Sequence, residues 1–429
     1  MALRVFRSVK IWFDDSDAKH PLEFNYVRQL IFLLNAIGSW PHNQFGRDRL
    51  HIVYSIYNVF LIGVAITISS AAAGYIWFNR ETISFSFMGH VILCILLETL
   101  YLQRLLTSRT QKYGETVKDL LLQFHLFYFQ NRSQYASKLF KKVQIISKIF
   151  TIYVTCHILT GVGLFTFMPW YNNYRSGMFG PDPPVNKTFE HSLYFYCFTD
   201  KVYTTLKGYW ILFFFNIPTS FHTSSGLLTF DLLLSITVFQ ILGHLKIMKH
   251  DLLSIPSTRD LYSREENMRV RKTLKGIIDH HNLIIKFVDK CSDAFSNYLF
   301  MFYMLMQLLT IVVTLEVTAY TADALAKYGP LTVAIYQPLI QISILFEMIS
   351  TQSEKLVEAI YQIPWECMDT SNRRTVMIFL HRAQTPVALK AAKMVPVGVM
   401  TMTAILKTTF SYYMLLNAVA ESADQKMGS

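Results

Sequence analysis

Seven apolar runs, at residues 52–78, 83–105, 143–168, 205–241, 295–318, 331–349 and 395–419, constrain this chain more than any other feature. The hydrocarbon core of a bilayer takes about 20 residues of helix. Inside lipid a helix satisfies every backbone N–H and C=O within its own segment. The runs therefore read as spanning helices. Composition agrees, because 52% of the 429 residues are hydrophobic and only 16% are charged, against about 25% charged in soluble domains. The 33 Phe and 24 Tyr suit lipid-facing and interfacial positions. The expected fold class is all-α, a seven-transmembrane-helix membrane protein. No Gly/Ser linker, low-complexity tract or solenoid repeat divides it. The run at 205–241 exceeds a bilayer thickness and contains Pro218, which predicts a kink, a tilt or an extension beyond the membrane.

The net charge is +11, but the charges sit in loops between the runs, which argues against a nucleic-acid partner. Four segments on one side (the residues before 52, then 104–142, 246–290 and 355–393) hold 31 Lys and Arg. The opposite side holds Arg80, Arg175, Lys187, Lys201, Lys327 and Lys426. Positive charge marks the cytoplasmic face, so the N-terminus is expected inside and the C-terminus outside, the inverse of a G-protein-coupled receptor. The sequon Asn186-Lys-Thr then falls outside, as a candidate glycosylation site, and Asn131-Arg-Ser falls inside. Residues 1–41 are mixed and charged, with a short apolar run at 30–37; no cleavable signal is expected and the first span serves as the insertion signal. Amphipathic spacing at 269–285 and 115–129 predicts helices that continue below the membrane as a cytoplasmic bundle, with helices lying on anionic lipid as the alternative.

Catalytic chemistry finds no foothold. There is no nucleotide-binding Gly-rich loop, no HExxH and no GxSxG. The five cysteines contain no CxxC pair and are odd in number, against a disulfide framework or a zinc site. No enzyme activity, cofactor or metal is expected. His280 and His281 read as a solvated face of a basic helix. Glu98, Asp231 and Glu347 lie deep in spans and are expected to pair with inner-face cations. Lys407 stands in the middle of the last run, beside Thr408, Thr409 and Ser411. A charge there costs about 2.5–3.5 kcal/mol on insertion scales and usually faces a bundle interior or a water-filled path. The last helix is therefore expected to help build a pore, with a lysine snorkelling to the inner face as the bland alternative.

Three stretches carry a resemblance. Residues 405–417 read Ile-Leu-Lys-Thr-Thr-Phe-Ser-Tyr-Tyr-Met-Leu-Leu-Asn, with Ser411, Tyr412 and Tyr413 as a Ser/Thr-Tyr-aromatic core. Residues 359–369 read Ala-Ile-Tyr-Gln-Ile-Pro-Trp-Glu-Cys-Met-Asp, followed by Arg373 and Arg374, and Ile-Gly-Ser-Trp-Pro stands at 37–41. In these the chain resembles the insect odorant receptors over essentially its whole length. Residues 178–192 resemble the second outer loop of moth pheromone-type receptors. The resemblance implies a ligand-gated, non-selective cation channel in which this tuning subunit joins an olfactory co-receptor subunit as a heterotetramer, in the plasma membrane of olfactory sensory neurons.

The same resemblance implies four parts. Residues 1–51 form a cytoplasmic segment with a re-entrant or membrane-associated helix. Residues 52–350 carry six spanning helices, an outer ligand cavity and cytoplasmic extensions. Residues 351–394 form a cytoplasmic anchor, and 395–429 a pore-lining helix with a short outer tail. Leu415 and Val419, one turn apart on one face, match the hydrophobic gate, and Asn417 departs from the apolar residue common there. A small volatile hydrophobic ligand is expected among Phe85, Met88, His90, Thr160, Val162, Phe165, Tyr209, Trp210, Phe213 and Tyr336, although any single aromatic in a span more often packs the core or faces lipid. The competing classes are a G-protein-coupled-type chemoreceptor and a transporter; the first requires an outside N-terminus and the second tends to show repeated halves.

Overall fold

The computed structural model describes residue 15 and residues 18–427 apart from 82, 84, 181–183, 185–186, 197–200, 318–321 and 393–394; at 85–86, 201, 322–328, 395–396 and 416–427 it describes backbone only. Eleven α-helices are described: α1 Asn25–Ala36, α2 Asp48–Asn79, α3 Phe85–Ser108, α4 Gln111–Leu122, α5 Gln134–Arg175, α6 Lys201–Thr204, α7 Leu206–Leu253, α8 Arg264–Val317, α9 Ala322–Tyr361, α10 Thr370–Ala383 and α11 Val399–Met427. Within α2, α3, α5, α7, α8 and α9 lie six described segments long and apolar enough to cross a membrane. The seventh long helix, α11, has 29 residues, of which those after Leu415 are described as backbone only.

Burial ranks these helices. The most apolar window of α7 is 83% buried, against 22% in α2 and in α5. The middle of α7 is rich in small residues, Thr219, Ser220, Thr223, Ser224, Ser225, Gly226 and Thr229, which let neighbours approach. It packs against α3, α5 and α9, and α8 packs against α3, α4, α9 and α11. Pro169, Pro218, Pro330 and Pro338 lie inside α5, α7 and α9, where each removes a ladder hydrogen bond.

Four expected spans are embedded in much longer helices, 143–168 in α5, 205–241 in α7, 295–318 in α8 and 331–349 in α9. The run at 205–241 extends to Leu253, and the amphipathic segment at 269–285 is one continuous helix with the fifth run. The helix expected at 115–129 is a correction. Here α4 ends at Leu122 with Gln123 outside helical geometry, and a 3-10 turn, Leu126–Phe129, separates it from α5. Side chains that face the core divert the backbone: Leu126 N–H donates to Gln240 Oε1 at 2.9 Å. The last run is also corrected at its start. Val395–Pro396 is a short strand, β2, antiparallel to β1, Lys390–Ala391, and the helix begins at Val399.

Below the spans, α1, α4, α10 and the inner halves of α5, α7, α8 and α9 form one packed body. Helix α1 buries Tyr26, Val27, Leu30, Leu33 and Leu34 against α5 and α7. Tyr26 Oη lies 2.7 Å from His125 Nε2, and Lys148 meets Asp15 at 2.6 Å. An added Cβ at Gly243 would overlap the side chain of Leu126, so glycine permits this crossing. His280 and His281 are buried rather than solvated, 3% and 2% exposed, because they face the interior of this body. Arg132 Nη1 can only donate, and it reaches His280 Nδ1 at 3.0 Å. His280 Nε2 then donates to His244 Nδ1 at 2.8 Å, and His244 Nε2 donates to Phe124 O at 2.6 Å. That order of donors fixes both imidazoles in one neutral tautomer.

Candidate functional site

A cavity of about 700 Å³ lies above this body, between α3, α5, α7, α8, α9 and the loop at 190–193. Its size is within the range of small-molecule sites, about 300–1,000 Å³. Its wall is mostly apolar, with Leu164, Phe165, Leu227 and Val333 among the lining side chains. Leu164 and Val333 are exposed, so the cavity opens sideways between α5 and α9.

Polar side chains are set into both ends of this wall, and several are held in place. His90 Nε2 lies 3.2 Å from Ser192 O, and Ser192 Oγ donates to Phe165 O at 2.6 Å, tying the loop at 190–193 to α3 and α5. Glu190 Oε2 accepts from Asn172 Nδ2 at 3.0 Å. His191 is buried beside it, and burial pushes its imidazole down to about 4, so it is neutral near pH 7. At the deep end Arg104 pairs with Asp231 at 3.0 Å and donates to Gly226 O at 3.3 Å, its guanidinium over the Tyr298 ring. Asp231 thus has a cation partner, as expected of it. Glu98 and Glu347 do not follow that expectation among the described residues: Glu98 Oε1 accepts from Thr223 Oγ1 at 2.6 Å, and Glu347 Oε2 accepts from Val399 N at 3.1 Å. Glu98 faces a hydroxyl stripe on α7, and Glu347 caps the first turn of α11; neither forms an ion pair with a lysine or arginine among the described residues.

The residues singled out in the sequence divide by position. His90, Thr160 and Phe165 line the cavity. Met88 is half-buried on α3, and Phe85 is described as backbone only. Tyr209, Trp210 and Phe213 form an aromatic cap with Phe179 and Phe189 of the outer loop, outside the cavity wall: Tyr209 stacks on Phe189 at 5.0 Å and Trp210 on Phe179 at 5.9 Å. Val162 and Tyr336 pack on the main core, where Tyr336 Oη lies 2.9 Å from Thr314 Oγ1. Asn186 lies outside the described residues. Sequence reasoning passed over Thr219, Ser220, Thr223 and Ser224, which line the cavity from α7. Their signal was available as a polar run, Thr-Ser-Phe-His-Thr-Ser-Ser at 219–225, inside an otherwise apolar span.

Helix α11 has one attached face and one bare face. Thr409 is buried and lies 2.9 Å from Thr310 Oγ1 and 3.2 Å from Gln307 Nε2 on α8, and Ile405 is buried beside it. Lys407, Thr408, Ser411, Tyr412 and Leu415 are exposed on the single chain, and Tyr413 is half-buried. Ser411 Oγ donates to Lys407 O at 3.0 Å. The side chains of Asn417 and Val419 lie outside those described.

The family model for the 7tm odorant receptors matches residues 105–410. Odorant receptors 13a and 85c of Drosophila melanogaster are 26% and 24% identical over 168 and 217 residues, covering 36% and 49% of this chain and 40% and 53% of theirs. The chain thus spans about half the length of the curated relatives it matches. The fold is similar to that of the olfactory receptor OR5 from Machilis hrabei, with a TM-score of 0.73 at 14% identity over 91% of this chain and 97% of that one. A second OR5 structure, in complex with eugenol, matches equally.

Proposed function

The chain belongs to the 7tm odorant receptor family, a multi-pass membrane family, and on that premise we propose that it is the tuning subunit of an odorant-gated, non-selective cation channel. The cavity between α3, α5, α7 and α9 carries this reading. It is large, its wall is mostly apolar in area, and the polar side chains set into that wall suit a small volatile molecule with one polar head. Relatives in the OR5 fold include a complex with eugenol, which supports a small organic ligand. The likeness of residues 178–192 to moth pheromone-type loops makes long-chain alcohols, acetates and aldehydes the first ligands to try.

In this reading the N-terminus is cytoplasmic and the C-terminus is outside, in the plasma membrane of olfactory sensory neurons, with Asn186 glycosylated. The bare face of α11 lines a pore shared with a co-receptor subunit, and Leu415 with Val419 forms its hydrophobic gate, closing by dewetting. Ligand binding biases α11 toward its open arrangement. Helix α9 is placed to carry the bias: Val333 and Pro338 line the cavity, and Glu347, further along the same helix, holds the first turn of α11. Recording from cells that express this chain with the co-receptor, against an odour panel, tests the reading. Currents that require both chains and an odorant support it; responses without the co-receptor, together with an N-terminal tag accessible on intact cells, point instead to a G-protein-coupled-type receptor.

A further inference from the structure

We propose that a second site, separate from the odorant cavity, holds the headgroup of an anionic lipid whose polar part is a phosphorylated polyol. The site is a cavity of about 360 Å³ between the loop at 38–44, the first turns of α2 and the junction of α3 with α4. Gln44, Tyr54, Ser55, Asn58, Ser108 and Arg109 are among its walls. It lies where the chain passes from the packed inner body into the first spanning helix, which is headgroup level for a lipid.

The walls ask for two opposite kinds of atom. Asn58 is 1% exposed. Its Nδ2 donates to Ser108 Oγ at 3.4 Å, while its Oδ1 has no protein partner among the described residues. Turning the amide over does not help, because Ser108 Oγ already gives its hydrogen to Leu105 O at 2.7 Å. Gly38, at φ +63°, brings the loop backbone tightly against the Cα and Cβ of Asn58. The deep end therefore calls for a hydroxyl donor. The mouth calls for an anion. Arg109 is exposed there, with Nη1 3.3 Å from Ser55 Oγ and its remaining N–H groups available. The first turn of α4, capped by Thr110, opens on the same space. Arg47 and Arg49 flank the entrance to α2, with Asp48 as the one carboxylate between them.

A phosphorylated polyol supplies both atoms; a phosphocholine has no hydroxyl to give. The lipid source, rather than a soluble phosphate, follows from what adjoins the site. Next to the wall residues Tyr54 and Ser55, α2 carries exposed Ile52, Val53, Ile56, Val59 and Phe60, an apolar stripe along which acyl chains can lie while the headgroup sits in the cavity.

The test measures binding to the purified full chain in neutral detergent, by native mass spectrometry and ligand-induced thermal shift. The probes are dioctanoyl phosphatidylinositol 4-phosphate, its soluble headgroup inositol 1,4-bisphosphate and dioctanoyl phosphatidylcholine. The expected result is saturable binding of the first, at least tenfold tighter than of either other probe. In Arg109→Gln, and in Asn58→Leu, which removes the Oδ1 acceptor, that binding weakens by tenfold or more. Arg109→Gln changes an exposed side chain and carries the test if Asn58→Leu does not fold. No binding, equal binding of the phosphocholine lipid, or undiminished binding in Arg109→Gln overturns the proposal. Inositol bisphosphate binding as tightly as the lipid overturns the lipid source.

Discussion

The two halves of α7 are built on opposite terms. Along its inner half, Ile236, Ile241, Leu245 and Ile247 are fully packed, and the polar groups Gln240 and His244 are each matched to a backbone partner. Along its outer half, Asn216 Oδ1, Ser220 Oγ, Ser225 Oγ and Thr229 Oγ1 are buried with no protein partner among the described residues. Unmatched buried polar atoms cost free energy, and they collect on the half that faces or adjoins the cavity. The difference locates stability below and responsiveness above: the inner half resists change, and the outer half can exchange partners with a ligand. Substitutions below should therefore lower folding, and substitutions above should alter the ligand response.

The largest effect is expected at the boundary. Asp231→Ala leaves Arg104 buried without its carboxylate, a loss of about 3–5 kcal/mol, and should remove most folded receptor by fluorescence-detected size-exclusion. Gly243→Val forces a side chain into Leu126 and should cost about 1–3 kcal/mol, seen as a lower unfolding temperature with ligand preference retained. A similar loss awaits Gln240→Leu, which strands the Leu126 N–H.

Acid should act on the inner body as well. Burial pushes the His125 imidazole down to about 3, so the folded state favours its neutral form. The unfolded chain protonates near 6.5, so stability is full above that value and falls as pH drops from 6.5 toward 3, by about 1.4 kcal/mol per unit once well below 6.5. Thermal unfolding at pH 7 and pH 5.5 reads this; His125→Gln should flatten the slope. The smallest stability effect belongs to the outer half. Ser220→Ala should stay within about 0.5 kcal/mol of the parent while shifting odorant dose–response curves, and a large loss of folding there would break the comparison.

The sequence makes the spans legible because lipid imposes length and apolarity on each one separately. It makes the long inner helix of α8 legible because its buried face recurs at helical spacing. Where α4 stops is not legible, because Gln240, far away in the chain, takes the Leu126 N–H. The cavity wall is only partly legible for the same reason. Which face of α7 looks into the cavity depends on how α5 and α9 lean around it, and the prolines at 169, 218, 330 and 338 add bends that periodicity does not encode. The aromatic residues at 209, 210 and 213 stand out in the sequence as bulky apolar groups, but they pack with Phe179 and Phe189 away from the cavity; the plain hydroxyls at 219–224 meet the cavity instead. Lys407 stands out in the sequence, and in the single chain it is exposed on α11, about two turns from Leu415.

The central claim, that the cavity is where the odorant acts, meets its most direct test at Cys156. This thiol is free and exposed and lines the cavity. In cells expressing the chain with its co-receptor, a membrane-permeant thiol reagent should abolish odorant-evoked current and spare current evoked by a direct co-receptor agonist. Prior odorant should protect, and Cys156→Ala should confer resistance. Odorant responses that survive complete labelling of Cys156, or loss of both currents together, would contradict the account.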